Sequence, residues 1–389
     1  MDKVMEAIEY ILIILSSFMC QSENSPFLTD TFEASYSNIG IPLASYYDTG
    51  IPARTAWDVE VFDQQLFVGS GDYDANSGPV EIYSYDLQNQ SWSCSGSLPD
   101  EQVERFMIID NTLMVPGCDP RGSWDFGNIY RYANGQWETL RNIPGGIHQF
   151  DLIEYEDMLF VGLGVSPGNS PIVMSLDGGE TFQSVPMYKN GQHLDSISGT
   201  NILARIYDFF TLNNELYAFY YQYTNENRAM EIYRYENNGF HYYSTLPEEL
   251  SYKRTAYQLF NAKIEFQENL YFSTGNLYVT DDMKTAQQIS LGENEIITDM
   301  RIIDENLYIS TISQEADGSF RSSIWVKYPY SKDRFKKVFY FSFDCPVQSF
   351  TYHEGVFYFG TGDGILSKED PSNGTILIVE YSLKKQRGA

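Results

Sequence analysis

Asp58-Val-Glu-Val-Phe-Asp-Gln-Gln-Leu-Phe-Val-Gly69 reads as two short strands around a polar turn. Apolar and polar residues alternate up to Phe62, three polar residues interrupt, and an apolar run resumes at Leu66. Period-two alternation broken by turn residues is the sequence form of a β-hairpin. The phrase occurs seven times, anchored on Leu66, Leu113, Leu159, Leu216, Leu270, Leu307 and Val356. The separations are 47, 46, 57, 54, 37 and 49 residues, the period of four-stranded blades rather than of helical repeats. A third strand follows each hairpin, as in Glu81-Ile-Tyr-Ser-Tyr85, Asn128-Ile-Tyr-Arg-Tyr132 and Glu231-Ile-Tyr-Arg-Tyr235. A more polar fourth strand often ends in proline, as in Trp92 to Pro99, Trp137 to Pro144 and Phe240 to Pro247. The pattern predicts an all-β fold, a seven-bladed β-propeller of four-stranded antiparallel blades.

The last repeat stops after its third strand, while Ala44-Ser-Tyr-Tyr-Asp-Thr-Gly-Ile-Pro52 has the fourth-strand character and precedes the first repeat. An N-terminal strand completing the last blade is therefore expected, since it hides two sheet edges. The domain reading is a signal peptide at 1–22, a linker at 23–43, one propeller at 44–383 and a tail at 384–389. The apolar run Tyr10-Ile-Leu-Ile-Ile-Leu15 followed by small residues predicts export to the cell surface or medium, and it is shorter than the roughly 20 residues of a transmembrane span. Asp2, Glu6 and Glu9 oppose the positive flank of a signal, and a start at Met19 leaves a cytoplasmic protein instead. Asn89-Gln-Ser91 and Asn373-Gly-Thr375 are sequons that matter only in a eukaryotic secretory pathway.

Ser175-Leu-Asp-Gly-Gly-Glu-Thr-Phe182 matches the Asp-box S-x-D-x-G-x-T-[WF] in full, at Ser175, Asp177, Gly179, Thr181 and Phe182. In this the chain resembles the Asp-box (BNR-repeat), sialidase-like β-propellers. Ser84-Tyr-Asp86 and Thr280-Asp-Asp282 are eroded echoes at the same place in other repeats. Repeats one, two and four are similar to kelch blades, with Tyr-x-Tyr, a turn, and then Trp92, Trp137 or Phe240. The kelch Gly-Gly doublet is missing from them. The resemblance spans residues 44 to 382 and implies a fold only, because the Asp-box is a structural turn. Sialidases carry an arginine in a Phe/Tyr-Arg-Ile-Pro motif, and the similar run Thr49-Gly50-Ile51-Pro52 has glycine in its place.

Composition narrows the partners. The 53 acidic and 25 basic residues leave a formal charge of −28, which repels phosphate and excludes nucleic acid. Cys20, Cys94, Cys118 and Cys345 make no zinc-binding pair, and His148, His193, His241 and His353 show no metalloenzyme spacing. Neither G-x-S-x-G nor a phosphate-cradling glycine loop stands in a proper context.

In an antiparallel blade the second-to-third and fourth-to-first connections share one face, and here they are the longer ones. Eight residues before each anchor stand Asp58, Arg105, Asp151, Asp208, Ala262, Asp299 and Gln348. Four aspartates near the channel predict an acidic mouth for a cation or a polyhydroxylated ligand, with Trp57, Phe150 and Tyr207 as stacking surfaces. The plainer reading is that each aspartate caps backbone N–H groups and each aromatic packs between blades. Asp119, Arg121 and Trp124 in one loop, with His148 and Arg205, complete the expected ligand-binding set. Asp72, Asp74 and Asn76 alternate as hard-cation ligands do and make calcium the one cofactor considered, although Gly78 is a position late for an EF-hand. The resulting expectation is a monomeric, non-enzymatic propeller binding a glycan or a protein. The alternative is a carbohydrate-active hydrolase or lyase using carboxylates at the mouth.

Overall fold

The computed structural model describes residues 31–47, 51–72, 75–122, 125–146, 148–165, 170–194, 203–223, 228–246, 262–329, 331, 334–362 and 370–381. These residues form a propeller-like ring of small antiparallel sheets. Each sequence repeat is a meander; the first runs through Asp58–Phe62, Gln65–Gly69, Val80–Asp86 and Ser91–Leu98 in sheet order. Six hydrogen-bonded sheets result, because repeats three and four merge where Gly164 and Val165 pair with Arg205 and Ala204.

The hairpin phrase works through one turn. In six of the repeats both turn residues are non-glycine with positive φ, from Asp63 and Gln64 at 48° and 60° to Asp304 and Glu305 at 47° and 64°. That is the two-residue turn whose twist matches the strands it joins, and it fixes their register. The last repeat uses Glu354 and Gly355. Its anchor is therefore Phe357 rather than Val356, and the residue equivalent to Asp58 is Ser349, not Gln348: Ser349 pairs with Gly360 as Asp58 pairs with Gly69.

The first strands line the ring. Asp58–Phe62 packs on Val347–His353, and contact continues through Ile296–Ile303, Lys263–Phe266, Leu203–Leu212 and His148–Tyr155 to Met107–Ile109. The circuit closes where the Phe106 N–H donates to Asp58 Oδ2 at 2.8 Å. The core lies in the seams between repeats. Phe67 of repeat one meets Tyr132 of repeat two with ring centroids 4.9 Å apart, and Phe160 of repeat three meets Tyr235 of repeat four at 5.0 Å. The outer tyrosine of the Tyr-x-Tyr pairs is thus seam packing, and truncating a buried Phe160 to Ala should cost roughly 3–5 kcal/mol.

An N-terminal strand does complete the last sheet, but it is Ser37–Gly40, antiparallel to Ile376–Glu380. Residues 44–47 form turns instead of the expected strand, with the Tyr47 N–H donating to the Leu43 carbonyl at 3.0 Å. Leu43 and Tyr47 are buried beside Val59 and Leu66, so their apolar character serves the seam between the last and first repeats. An outer strand needs no such pattern. The Trp92 indole N–H donates to the Ile39 carbonyl at 2.6 Å and Tyr46 Oη to the Pro79 carbonyl at 2.7 Å, fastening this segment to repeat one. Further upstream Phe32–Glu33 runs parallel along the edge strand Lys336–Phe343. Ordered strands therefore lie inside the stretch read as a linker; residues 1–30, including the signal-peptide reading, lie outside the described residues.

Candidate functional site at the channel mouth

The repeated aspartates act first as stitches between neighbouring repeats. The Phe106 N–H donates to Asp58, the Phe209 N–H to Asp151 Oδ2 at 2.7 Å, and the Phe350 N–H to Asp299 Oδ2 at 3.0 Å. In each case the donor stands seven residues before the anchor of the next repeat, once the last anchor is placed at Phe357. A buried carboxylate accepting a backbone N–H meets part of its hydration loss.

Their remaining charge is met by three cations that sequence reasoning missed. Arg301 donates to Asp58 Oδ1 at 2.7 Å, Glu60 Oε2 at 2.7 Å and Asp299 Oδ2 at 3.2 Å, joining repeats six and one. Arg105 approaches Asp151 Oδ1 at 3.1 Å and Asp208 Oδ1 at 3.8 Å. Lys263 donates to Asp151 Oδ2 at 2.9 Å and to Asp208. The signal for them was faint: Arg105 breaks the aspartate pattern at its own position, and Lys263 follows Ala262 where the aspartate is lost. The mouth is therefore charge-paired rather than simply acidic.

Burial pushes the Asp58 carboxyl up to about 7 against the pull of Arg301, with Asp299 and Glu60 adding to the rise. Burial likewise raises Asp208, opposed by Lys263 and Arg105. Arg301 is held well above its ordinary value because Asp299, Asp58 and Glu60 outweigh the cost of burial.

A cavity of about 340 Å³ opens between these groups. Trp57, Asp58, Glu104, Arg105, Lys263, Asp299 and Arg301 supply part of its polar lining, and Ile264, Ile296 and Met300 part of its apolar wall. Of the expected site residues it gathers Trp57, Asp58 and Asp299. Asp151 and Asp208 are buried against Arg105 and Lys263, not on its surface. The Trp57 indole N–H donates to the Gly71 carbonyl at 2.8 Å, which anchors the polar edge of the ring.

The other expected residues form two separate groups. His148 Nδ1 lies 2.9 Å from Asp119 Oδ1, and its ring stacks on Phe150, which meets Tyr207 at 4.5 Å. The Arg205 guanidinium lies over both Phe150 and Tyr207, at 5.6 and 5.8 Å. In the second group, Arg121 donates to the carbonyls of Asn76 and Gly78, while Asp72 Oδ1 accepts the Ala75 N–H at 3.2 Å. The Arg121 guanidinium thus fastens the backbone of the loop that carries Asp72 and Asn76. Asp74 and Trp124 lie outside the described residues, and among the described residues no cluster of three His, Cys, Asp or Glu suits a metal.

On the outer rim, Ser175–Phe182 closes on itself. Asp177 accepts the Thr181 N–H at 2.8 Å and hydroxyls of Thr181 and Ser175 at 2.6 and 2.7 Å. Those bonds hold its carboxyl down to about 2. Asp282 accepts the Lys284 and Thr285 N–H groups at 2.8 and 2.9 Å in the same manner.

No protein-family model matches the chain, and no curated protein is similar to it at a significant level. Many solved structures resemble its fold, among them the following two. The tricorn protease aligns over 77% of this chain with 11% identity and a TM-score of 0.39, this chain spanning 29% of that protein's length. A putative 6-phosphogluconolactonase from Bacteroides uniformis aligns over 76% of this chain and 89% of its own, with 11% identity and a TM-score of 0.45. Among the described residues no helix is long and apolar enough to cross a membrane.

Proposed function

We propose that the chain is an exported, non-enzymatic, seven-bladed β-propeller that binds a carbohydrate or another protein through its long-loop face. The blade count is supported by hydrophobic clusters that join the seven sequence repeats in cyclic order, the last with the first. One observation carries the binding reading: Asp58, Asp151, Asp208 and Asp299 are tied into ion pairs, three of them also into backbone stitches between neighbouring repeats. Carboxylates so committed hold a surface in shape and are poor proton carriers. A glycan array, followed by incubation of each hit with the protein, tests this reading. Ligands recovered intact support it, and cleaved ligands overturn it.

A carbohydrate-active hydrolase or lyase is the second reading, favoured by Asp58. A carboxyl at about 7 on the wall of a cavity is poised for general acid work. A Asp58→Asn variant that binds a glycan as well as the native protein but stops cleaving it would establish this reading. Export is tested by N-terminal sequencing of the protein from its native host: cleavage between about Met19 and Asn24 supports it, and an intact amino terminus removes it.

A further inference from the structure

We infer that the mouth cavity takes the uncharged end unit of a glycan, one or two sugar rings inserted end-on, rather than an extended or charged chain. This rests on the binding reading above and narrows its ligand. Three observations carry it. The first is volume: about 340 Å³ stands at the lower end of ligand pockets and holds a ring or two of a saccharide.

The second is that the charges of the lining are already committed. Glu104 Oε1 accepts the Gln102 side-chain amide at 2.8 Å, and the three cations Arg105, Lys263 and Arg301 are shared among five carboxylates, Asp58, Glu60, Asp151, Asp208 and Asp299. Arg301 is ion-paired with Asp58 and Asp299, while Arg105 and Lys263 are paired with Asp151 and Asp208 in the wall. A charged ligand must break one of these pairs to be matched. A neutral polyol need not, because a guanidinium has five N–H donors and Arg301 uses three of them on Asp58, Glu60 and Asp299. The two left, with spare carboxylate lone pairs, form the mixed donor and acceptor surface that vicinal hydroxyls match.

The third is the apolar complement. Trp57 is held by its N–H on the Gly71 carbonyl, and Ile264, Ile296 and Met300 continue the lining. A sugar ring has an apolar C–H face opposite its hydroxyl edges, and aromatic side chains with an anchored polar end present flat surface of that kind. The cross-channel pairs of Lys263 with Asp151 and of Arg105 with Asp208 join non-neighbouring repeats, so a chain cannot thread through and must enter by its end.

The test is titration calorimetry of the full chain with methyl glycosides of common neutral hexoses, pentoses and N-acetylhexosamines. The matching uronic acids, amino sugars and internal oligosaccharides blocked at both ends are titrated in parallel. Ala262→Phe fills the cavity without touching an ion pair, and Arg301→Gln removes spare donors; thermal melting checks that each variant folds. The inference expects at least one neutral glycoside to bind, tenfold or more above its charged counterparts, with binding abolished in Ala262→Phe. Should Ala262→Phe fail to fold, Ile296→Trp at the half-exposed rim of the same cavity serves in its place. Binding only of blocked oligosaccharides, preference for a charged sugar, or binding that survives a folded cavity-filled variant overturns it while leaving the glycan-binding reading intact. If no sugar binds but a protein partner is captured and mapped to the long loops, the end-unit inference falls and the broader reading stands. Absence of both overturns the two together.

Discussion

Asp58 in the channel and Asp177 on the rim have similar partners, yet their carboxyls are shifted in opposite directions. Asp58 accepts the Val59 and Phe106 N–H groups at 2.9 and 2.8 Å and faces a guanidinium besides. Asp177 accepts one N–H and two hydroxyls and has no cation in that set. Yet Asp58 is pushed up to about 7 and Asp177 down to about 2. Hydrogen bonds favour the charged form in both places; what differs is water. The ring removes it from Asp58, whereas the rim turn leaves Asp177 exposed, so desolvation rather than bonding decides the sign.

The largest effect should come from breaking the ring itself. Deleting residues 1–40 removes Phe32–Glu33 and Ser37–Gly40, exposing edges of two sheets. Urea unfolding of this truncation should show a loss exceeding about 5 kcal/mol, the lower end of total domain stability, or aggregation outright. A truncation of residues 1–30 keeps both strands and is the control. If the longer deletion unfolds cooperatively at the native midpoint, closure does not depend on that segment.

Lys263→Met should come next. It leaves Asp151 and Asp208 buried with Arg105 alone, and removing one partner from a buried pair costs roughly 3–5 kcal/mol. A chemical denaturation series reads this directly, and a loss under about 1 kcal/mol would show that the buried carboxylates are solvated by other means.

Asp58→Asn sharpens the comparison through pH. A carboxyl raised in the folded state binds protons that the unfolded chain releases. Its contribution is therefore fully present below the unfolded value near 3.8 and is lost as pH rises to about 7. Native stability should fall across that window relative to Asp58→Asn, by on the order of 1 kcal/mol per pH unit at most. Parallel profiles for the two proteins would place Asp58 in the ordinary range.

The smallest effect belongs to Asp177→Asn, with the opposite sign. A lowered carboxyl contributes stability above about 4 that disappears as pH falls toward 2. Thermal melts of the two proteins should differ slightly at neutral pH and converge near pH 2. A difference that widens on acidification would contradict the turn geometry.

Much of this architecture could be read along the chain. The seven hairpin phrases, their third strands and the rim turn at Ser175 to Phe182 are local. Each depends on alternation and on turn residues within a dozen positions, and the hydrogen bonds that reward the pattern lie within the same meander. The misplaced anchor in the last repeat has a local cause too: Glu354-Gly355 is the turn pair, and counting from it selects Phe357.

What the sequence determined alone was the repeat, its strand order and the places where aspartates recur. Tertiary structure decided everything that depends on who faces whom around the ring. Ser37–Gly40 became the closing strand because an outer edge is held by backbone hydrogen bonds, which leave no hydrophobic signature, while the aromatic pair Tyr46 and Tyr47 went to the seam. The channel aspartates became charge-paired because Arg105, Lys263 and Arg301, each unremarkable in its own repeat, converge there from positions as far as 243 residues away in the chain. Local patterns carry propensity, whereas desolvation and ion pairing follow from three-dimensional proximity, which only the closed ring supplies.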